Sequence, residues 1–369
     1  MRVAFYSPIA VPDALAASGV QRMGTLLESA LRAAGCEVWR PALPRTYEGR
    51  GDAARQAELK AESEAAADAL LNAAPAIDAW FSYHVYYKSP DWVGPRVARA
   101  LRVPYLIAEG SHAPKRAGGP WALGHEGTTA ALTAADRLLA MTAFDRFCLD
   151  QIAAGRVRDL KPFIEVRDFS PSASQPLVAS HLPHQDGKGP SKTRIVTAAT
   201  MRDERKRVSY SLLAAALRAL TDVPIALSIA GDGPMRAEIE RMFAGLDGVR
   251  FEGMVRAADM PAFLAGGDVF AWPGLGEAYG LVFLEAQAAG LPIAACRDHG
   301  VPDTVREGET ALLSAPGDVS AYAANLRRLV EDGALRRTMG AAAHKFVTTE
   351  RSVEAAGAML ASVFAELRR

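Results

Sequence analysis

Cysteine is nearly absent from this 369-residue chain. Cys36, Cys148 and Cys296 are odd in number and far apart, which excludes a disulfide framework and a paired-cysteine zinc site. Small core residues in a reducing compartment are the expectation for them. Net charge is absent too, because 42 Lys plus Arg balance 42 Asp plus Glu. Nothing in that balance points to nucleic acid. Local basic patches alone are left to meet an anionic substrate, or a membrane surface as a peripheral contact. No apolar run is long enough to span a bilayer, and no basic-then-apolar leader precedes the first strand. A cytoplasmic protein is expected. What the chain has in quantity is hydrophobic residues, half of the total, enough for the cores of two ordinary domains.

The most informative stretch is Asp268 to Cys296, DVFAWPGLGEAYGLVFLEAQAAGLPIAAC. Val269 to Trp272 is an apolar run ended by the turn signal Pro273-Gly274. Tyr279 to Ala289 has helical content and stops at Gly290, with Pro292 just beyond. Pro292 to Cys296 is a second apolar run. Strand, loop, helix and strand make a βαβ unit of a parallel sheet. Glu285 lies inside the helix with Leu281, Val282, Ala288 and Ala289 three and four residues away, so no helical ion pair is available to it. Such a carboxylate either reaches solvent or meets a ligand, since burying it unpaired is costly. Glu277 lies in the loop ahead of the helix, whose first amides favour anions such as phosphate. A hydroxyl-rich ligand carrying a phosphate fits the pair; two solvated surface glutamates are the alternative on the residues alone.

The rest of the chain alternates strand and helix. In the first half, strands are expected at Arg2–Tyr6, Cys36–Trp39, Ala79–Tyr83, Tyr105–Ala108, Arg137–Met141 and Pro162–Val166. A helix from Val20 to Ala34 has apolar residues at three-four spacing, preceded by Gly19 where backbone must approach a ligand closely. Other helices are expected within Asp52–Ala74, Val93–Leu101 and Phe144–Ala154. The loop after the fourth strand carries Glu109, His112, Lys115 and Arg116, at the strand end where open α/β sheets place ligands. Ser170–Lys192 is rich in Ser, Pro, Gly and His and reads as a linker. Six more strands follow at Ile195–Ala199, Ile225–Ala230, Val249–Phe251, Val269–Trp272, Ile293–Cys296 and Ala311–Ser314. The first is followed by a basic loop, Arg202-Asp-Glu-Arg205-Lys206-Arg207, ahead of a helix expected at Tyr210–Leu220. Arg and Lys at a strand's carboxyl end suit a pyrophosphate, and a solvated charge run is the alternative. Gly231-Asp-Gly-Pro234 reads as a turn opening a helix. Two doubly wound α/β domains are therefore expected.

The spacing Glu277-x7-Glu285, inside P-x3-E-x-Y-G-L-x3-E-A-x-A-x-G-L-P, resembles the EX7E signature of the retaining, nucleotide-sugar-dependent glycosyltransferases of family 4. Phe251-x-Gly-x-Val255 and Gly300-x-Pro-Asp303 are similar to two further motifs of that family, and Ser18 stands where its first loop has Gly. The resemblance implies the GT-B fold: two Rossmann-like domains facing a central cleft, with a C-terminal helix returning to the first. The domain bounds it suggests are 1–170, a linker at 171–192, and 193–345 for the donor, with about 346–369 rejoining the first through a last amphipathic helix expected at Val353–Leu367. It implies transfer of a sugar from a nucleoside diphosphate donor to an acceptor hydroxyl, with no metal and no cofactor, and no Asp-x-Asp triplet occurs in the sequence. By the same resemblance Glu277 meets the transferred sugar and Glu285 the ribose. Arg202 and Lys206 meet the diphosphate, with Arg205 and Arg207 as rivals. Gly19, Tyr279, Gly280 and Leu281 lie beside the donor, and the backbone at Val255 faces the base. His112 is the first-domain residue reaching the donor sugar, although Glu109 and His84 compete for that place. Rival functions are a nucleotide-sugar 2-epimerase or a phosphorylase on the same fold, or a catalytically silent binding protein.

Overall fold

Every sheet strand pairs in parallel with its neighbours, and this dictates the rest, because parallel strands need helical crossovers that cover both faces. The computed structural model describes residues 1–9, 19–169, 192–202 and 204–368. Ser18, Asp203 and the expected linker up to Ser191 lie outside the described residues. The chain divides into two units, Met1–Pro162 with Val353–Arg369, and Phe163–Ser352.

The first unit runs β1 (Arg2–Tyr6), α1 (Gly19–Ala33), β2 (Glu37–Trp39), α2 (Ala53–Asn72), β3 (Ala79–Val85), α3 (Gly94–Leu101), β4 (Tyr105–Gly110), α4 (Ala122–Ala134), β5 (Arg137–Ala140), α5 (Ala143–Ala153) and β6 (Val157–Asp159). The sheet order is β2-β1-β3-β4-β5-β6, so the order reverses between β1 and β3. Trp80, Val85, Tyr105, Ile107, Leu138 and Ala140 are buried in its core. In α1 the buried Met23, Leu26, Leu27, Ala30 and Leu31 follow the expected three-four spacing. Buried residues of α2 are Gln56, Leu59, Ser63 and Ala67, one stripe on a charged helix, and Asp52 caps its start by accepting from Arg55 N at 3.1 Å.

Two expectations for this unit need correction. Pro162–Val166 is not a sheet strand. The sixth strand is Val157–Asp159, paired with β5, and Ile164 instead donates its N–H to Arg351 O at 2.9 Å and bridges Ser352. Helix α4 was not expected from its sequence, ALGHEGTTAALTA, whose glycines and threonines are poor helix formers. Packing overrides propensity there: a Cβ on Gly127 would lie 2.2 Å from Trp92 Nε1, and one on Gly124 2.1 Å from Tyr87 O.

The second unit runs β7 (Thr193–Ala198), α6 (Glu204–Arg218), β8 (Ile225–Ala230), α7 (Arg236–Met242), β9 (Val249–Gly253), α8 (Met260–Ala265), β10 (Val269–Ala271), α9 (Leu281–Ala288), β11 (Ile293–Cys296), α10 (Val301–Thr304), β12 (Ala311–Ser314), α11 (Val319–Glu331) and α12 (Gly333–Glu350). Its order is β12-β11-β10-β7-β8-β9, reversing between β7 and β10. Helix α6 begins six residues before its expected start. Arg205, Lys206 and Arg207 therefore lie on its first turns rather than in a loop. Glu204 favours that early start, as an acidic residue at the helix N-terminus and as the partner of Arg207 three residues on.

The final helix, α13 (Val353–Leu367), belongs to the first unit. A Cβ on Gly357 would lie 2.7 Å from Ala33 Cβ, so the helix sits close against α1. Glu366 pairs with Arg137 at 3.2 Å and Arg158 at 2.9 Å. Residues 346–350 finish α12 in the second unit, and the return begins at Val353, where the last helix is expected.

Candidate active site

In an open parallel sheet, the two strands flanking the order reversal send their following loops in opposite directions, which leaves a crevice at their carboxyl ends. In the second unit those strands are β7 and β10. The segment after β7 leads into Lys206 on α6; the segment after β10 carries Trp272 and Glu277. Lys206 Nζ is ion-paired to Glu277 Oε1. Trp272 Nε1 donates to the same carboxylate oxygen at 3.1 Å, and Lys206 Nζ lies 5.7 Å from the Trp272 ring centroid. The side chains of Lys206 and Glu277 are 20% and 15% exposed. The pair is thus reachable by a ligand yet shielded enough for charge to matter.

The loop that presents Glu277 is fixed on several sides. Gly274, Gly276 and Gly280 all adopt left-handed backbone, at φ +69°, +69° and +66°, a conformation open to glycine at little cost. Leu275 N donates to Ser209 Oγ at 3.0 Å, and Gly276 N to Asp298 Oδ2 at 2.7 Å. Burial pushes the Asp298 carboxyl up, but the Gly276 N–H and His299 outweigh it and hold its pKa below the usual value. Gly300 N donates to Glu277 O at 3.2 Å. A Cβ on Gly300 would fall 1.8 Å from Ala278 O, so only glycine allows this closeness.

The other cations separate clearly. Arg207 is engaged by Glu204 and, at 3.4 Å, by Glu238. Arg205 Nη1 donates to Gly276 O at 3.4 Å and its stem lies against that glycine. Arg202 is exposed on the loop ahead of α6. That loop is held by the Gly-Asp-Gly turn after β8: Met201 N donates to Asp232 O at 3.0 Å, and Met235 N to Met201 O at 3.0 Å.

Glu285 is 2% exposed within α9. Of the two fates expected for it, reaching solvent is therefore not the one observed. Gly280 is the N-cap residue of α9, and no side chain caps that end. Tyr279 and Leu281 are buried at 7% and 8% exposure, and Val255 is half-buried in the loop after β9.

In the first unit, Gly19 opens α1, and among the described residues nothing lies within 4 Å of a Cβ placed on it. His112 and Glu109, rivals for one first-domain place, fall into different clusters. His112 stacks at a tilt on His125 with centroids 5.5 Å apart, and burial, aided by His125, lowers its pKa. Glu109 sits 3.0 Å from His84 Nδ1, and both residues hold left-handed backbone, at φ +56° and +62°. Strain of this kind in two non-glycine residues on adjacent strands is characteristic of functional sites. Burial works to lower the His84 pKa, but Glu109 and Asp145 raise it overall. Sequence reasoning missed Trp272, Asp298 and Ser209. Asp298 alone had a readable signal, a polar Arg-Asp-His-Gly run closing an apolar strand.

Two six-stranded, doubly wound parallel units completed by a returning C-terminal helix define the GT-B class of fold. The chain superposes over 99% of its length on Alr3699/HepE of Anabaena, solved with UDP and glucose and matched over its full length, at a TM-score of 0.69 and 15% identity. Residues 192–332 match the family Glycosyl transferases group 1. Over 140 residues, 37% of this chain and 27% of the relative, it is 38% identical to the sulfoquinovosyl transferase SQD2 of Arabidopsis thaliana. It is 30% identical to the D-inositol 3-phosphate glycosyltransferase of Streptomyces avermitilis over 58% of this chain and 48% of that one. The chain thus covers less than half the length of either of these relatives. Among the described residues, no helix is long and apolar enough to cross a membrane.

Proposed function

We propose that the protein is a retaining glycosyltransferase that moves a sugar from a nucleoside diphosphate sugar to an acceptor hydroxyl. The observation that carries this reading is the convergence of Lys206, Glu277 and Trp272 at the order reversal of the second sheet, beside the uncapped start of α9. The bond that breaks joins the sugar's anomeric carbon to the diphosphate, and its electron pair leaves with the phosphate oxygen. Positive charge waiting at that oxygen lowers the barrier, because it is worth most where charge develops. Lys206, Arg202 and the first amides of α9 supply it in place of a metal. Glu277 accepts hydrogen bonds from hydroxyls of the transferred sugar, and Glu285 from the ribose. The base lies against backbone near Val255, and Tyr279, Gly280 and Leu281 line the donor. Gly19 and His112 keep the donor roles that the family resemblance implies. The acceptor oxygen forms the new bond and releases its proton to solvent.

A thermal-shift panel of nucleoside diphosphates and their sugars tests the reading, since a ligand of the folded state raises the apparent Tm by mass action. One base should stabilise above the others, and its sugar donor should release nucleoside diphosphate only with an acceptor present. No shift with any donor removes the proposal. Release of an isomeric sugar nucleotide without acceptor would make the protein an epimerase.

A further inference from the structure

The first sheet has its own order reversal, between β1 and β3, and the segment after β3 is aromatic and basic. Rings of His84, Tyr86, Tyr87 and Trp121 follow one another edge-on, with centroids 5.1, 5.5 and 5.7 Å apart. Two cations close the far end of this row. Lys88 Nζ lies 5.0 Å from the Trp121 centroid and 5.9 Å from that of Tyr87. Arg116 Cζ lies 5.1 and 5.2 Å from the same two rings. Both cations are half-buried. Neither is ion-paired to a carboxylate among the described residues, whereas the similarly half-buried Arg194 and Arg207 are.

The aromatic faces attract each cation separately, yet two like charges over one pair of rings repel. The polar groups are also incompletely satisfied. Arg116 Nε and Trp121 Nε1 are buried without a hydrogen-bond partner, which buried donors rarely tolerate. Among the described residues, the one hydrogen bond made by the Lys88 ammonium is a long one, 3.5 Å to Gly49 O. An anion between the cations would remove the repulsion and give the guanidinium fork the acceptor it lacks. The rings beside it offer apolar faces to the C–H side of a hydroxylated ring.

We infer that this row is an acceptor site selective for a phosphate-bearing hydroxylated ring, with Lys88 and Arg116 binding the phosphate and Tyr86, Tyr87 and Trp121 the ring. The word acceptor rests on the transferase reading; the anion selectivity does not. A sugar phosphate and the headgroup of an anionic lipid share this chemistry.

The test is calorimetric titration of the full chain with glucose 6-phosphate and with glucose, at saturating nucleoside diphosphate to occupy the Lys206 face. The phosphate ester should bind at least about tenfold more tightly than glucose. Lys88→Gln and Arg116→Gln should each weaken it by about tenfold or more, the scale of one charge-assisted contact, and leave glucose unaffected. Melting curves establish that both variants fold. Cosedimentation with phosphatidylglycerol against phosphatidylcholine vesicles separates the sources: binding only to the anionic vesicles, lost in both variants, supports a lipid headgroup. Equal affinity for ester and sugar with no vesicle preference, or anion binding indifferent to both substitutions, overturns the inference. If no nucleoside diphosphate binds, the transferase reading falls, and the ester titration still decides this site. If sugar is transferred to neutral acceptors regardless of Lys88 and Arg116, this inference alone falls.

Discussion

Glu277→Gln should have opposite effects on two ligands that share one site. The Glu277 carboxylate already holds Lys206 and accepts from Trp272, so a free diphosphate must compete with it for the ammonium. Glutamine keeps the volume and can still accept from the indole, but it removes the negative charge. Two unit charges near contact attract by about 4 kcal/mol at an effective dielectric of about 20. Desolvation and the residual 20% and 15% exposure of the side chains reduce the net coupling, leaving about 1–2 kcal/mol. Free nucleoside diphosphate should therefore bind the variant about five- to thirtyfold more tightly than the wild type. Sugar transfer should move the other way. Loss of a charge-assisted bond to a sugar hydroxyl costs about 1.5–3 kcal/mol, so kcat/KM should fall by about ten- to a hundredfold. Calorimetry with the diphosphate and initial rates with its sugar donor, at equal low ionic strength, measure both. Weaker diphosphate binding in the variant would refute the competition argument, and unchanged turnover would refute the sugar contact.

Three further predictions test separate parts of the account. Glu285→Gln should weaken nucleoside diphosphate binding by about tenfold with cooperative unfolding retained, as expected for one lost charge-assisted contact; unchanged affinity in calorimetry would exclude the ribose role. Gly300→Ala should destabilise the fold by about 2 kcal/mol or more and displace the Glu277 loop, because its Cβ has no room beside Ala278 O; a wild-type melting curve would contradict the close packing. Glu109→Gln tests the His84 pair through pH. Because the folded His84 pKa is raised, the pair's stabilisation is fully present below the ordinary value of 6.5 and is lost as pH rises through the folded value. The melting difference between wild type and variant should shrink from pH 6 to pH 9, and a constant difference would show that the two groups are not coupled.

Most of the scaffold was legible because parallel strands buried on both faces read as short apolar runs, as at Val269–Ala271 and Ile293–Cys296. The pattern was weaker where other forces decide. Pro162–Val166 reads as a strand by composition, but its backbone pairs with the chain at Arg351 and Ser352, a partner nearly two hundred residues away. Helix α4 depends on glycines that admit Trp92 and Tyr87, which no local propensity reports. The charges of Glu204 to Arg207 hid the true start of α6, whose apolar face begins only at Tyr210. At the site, the sequence singled out Lys206 and Glu277 separately; their contact follows from strand order, which spacing does not encode. Trp272 reads as one more apolar residue, since nothing in a sequence says that an indole N–H will meet a carboxylate.

The central claim is that Lys206 and Arg202 stabilise a departing diphosphate, and turnover in four alanine variants tests it most directly. Lys206→Ala and Arg202→Ala should each lower kcat with the sugar donor by about a hundredfold, the usual loss for one donor at a developing charge. They should weaken the free nucleoside far less, because it carries no diphosphate. Arg205→Ala and Arg207→Ala should be mild, as Arg207 is held by Glu204 and Glu238 and Arg205 by the Gly276 carbonyl. Four equally mild substitutions would contradict the account and place the diphosphate elsewhere.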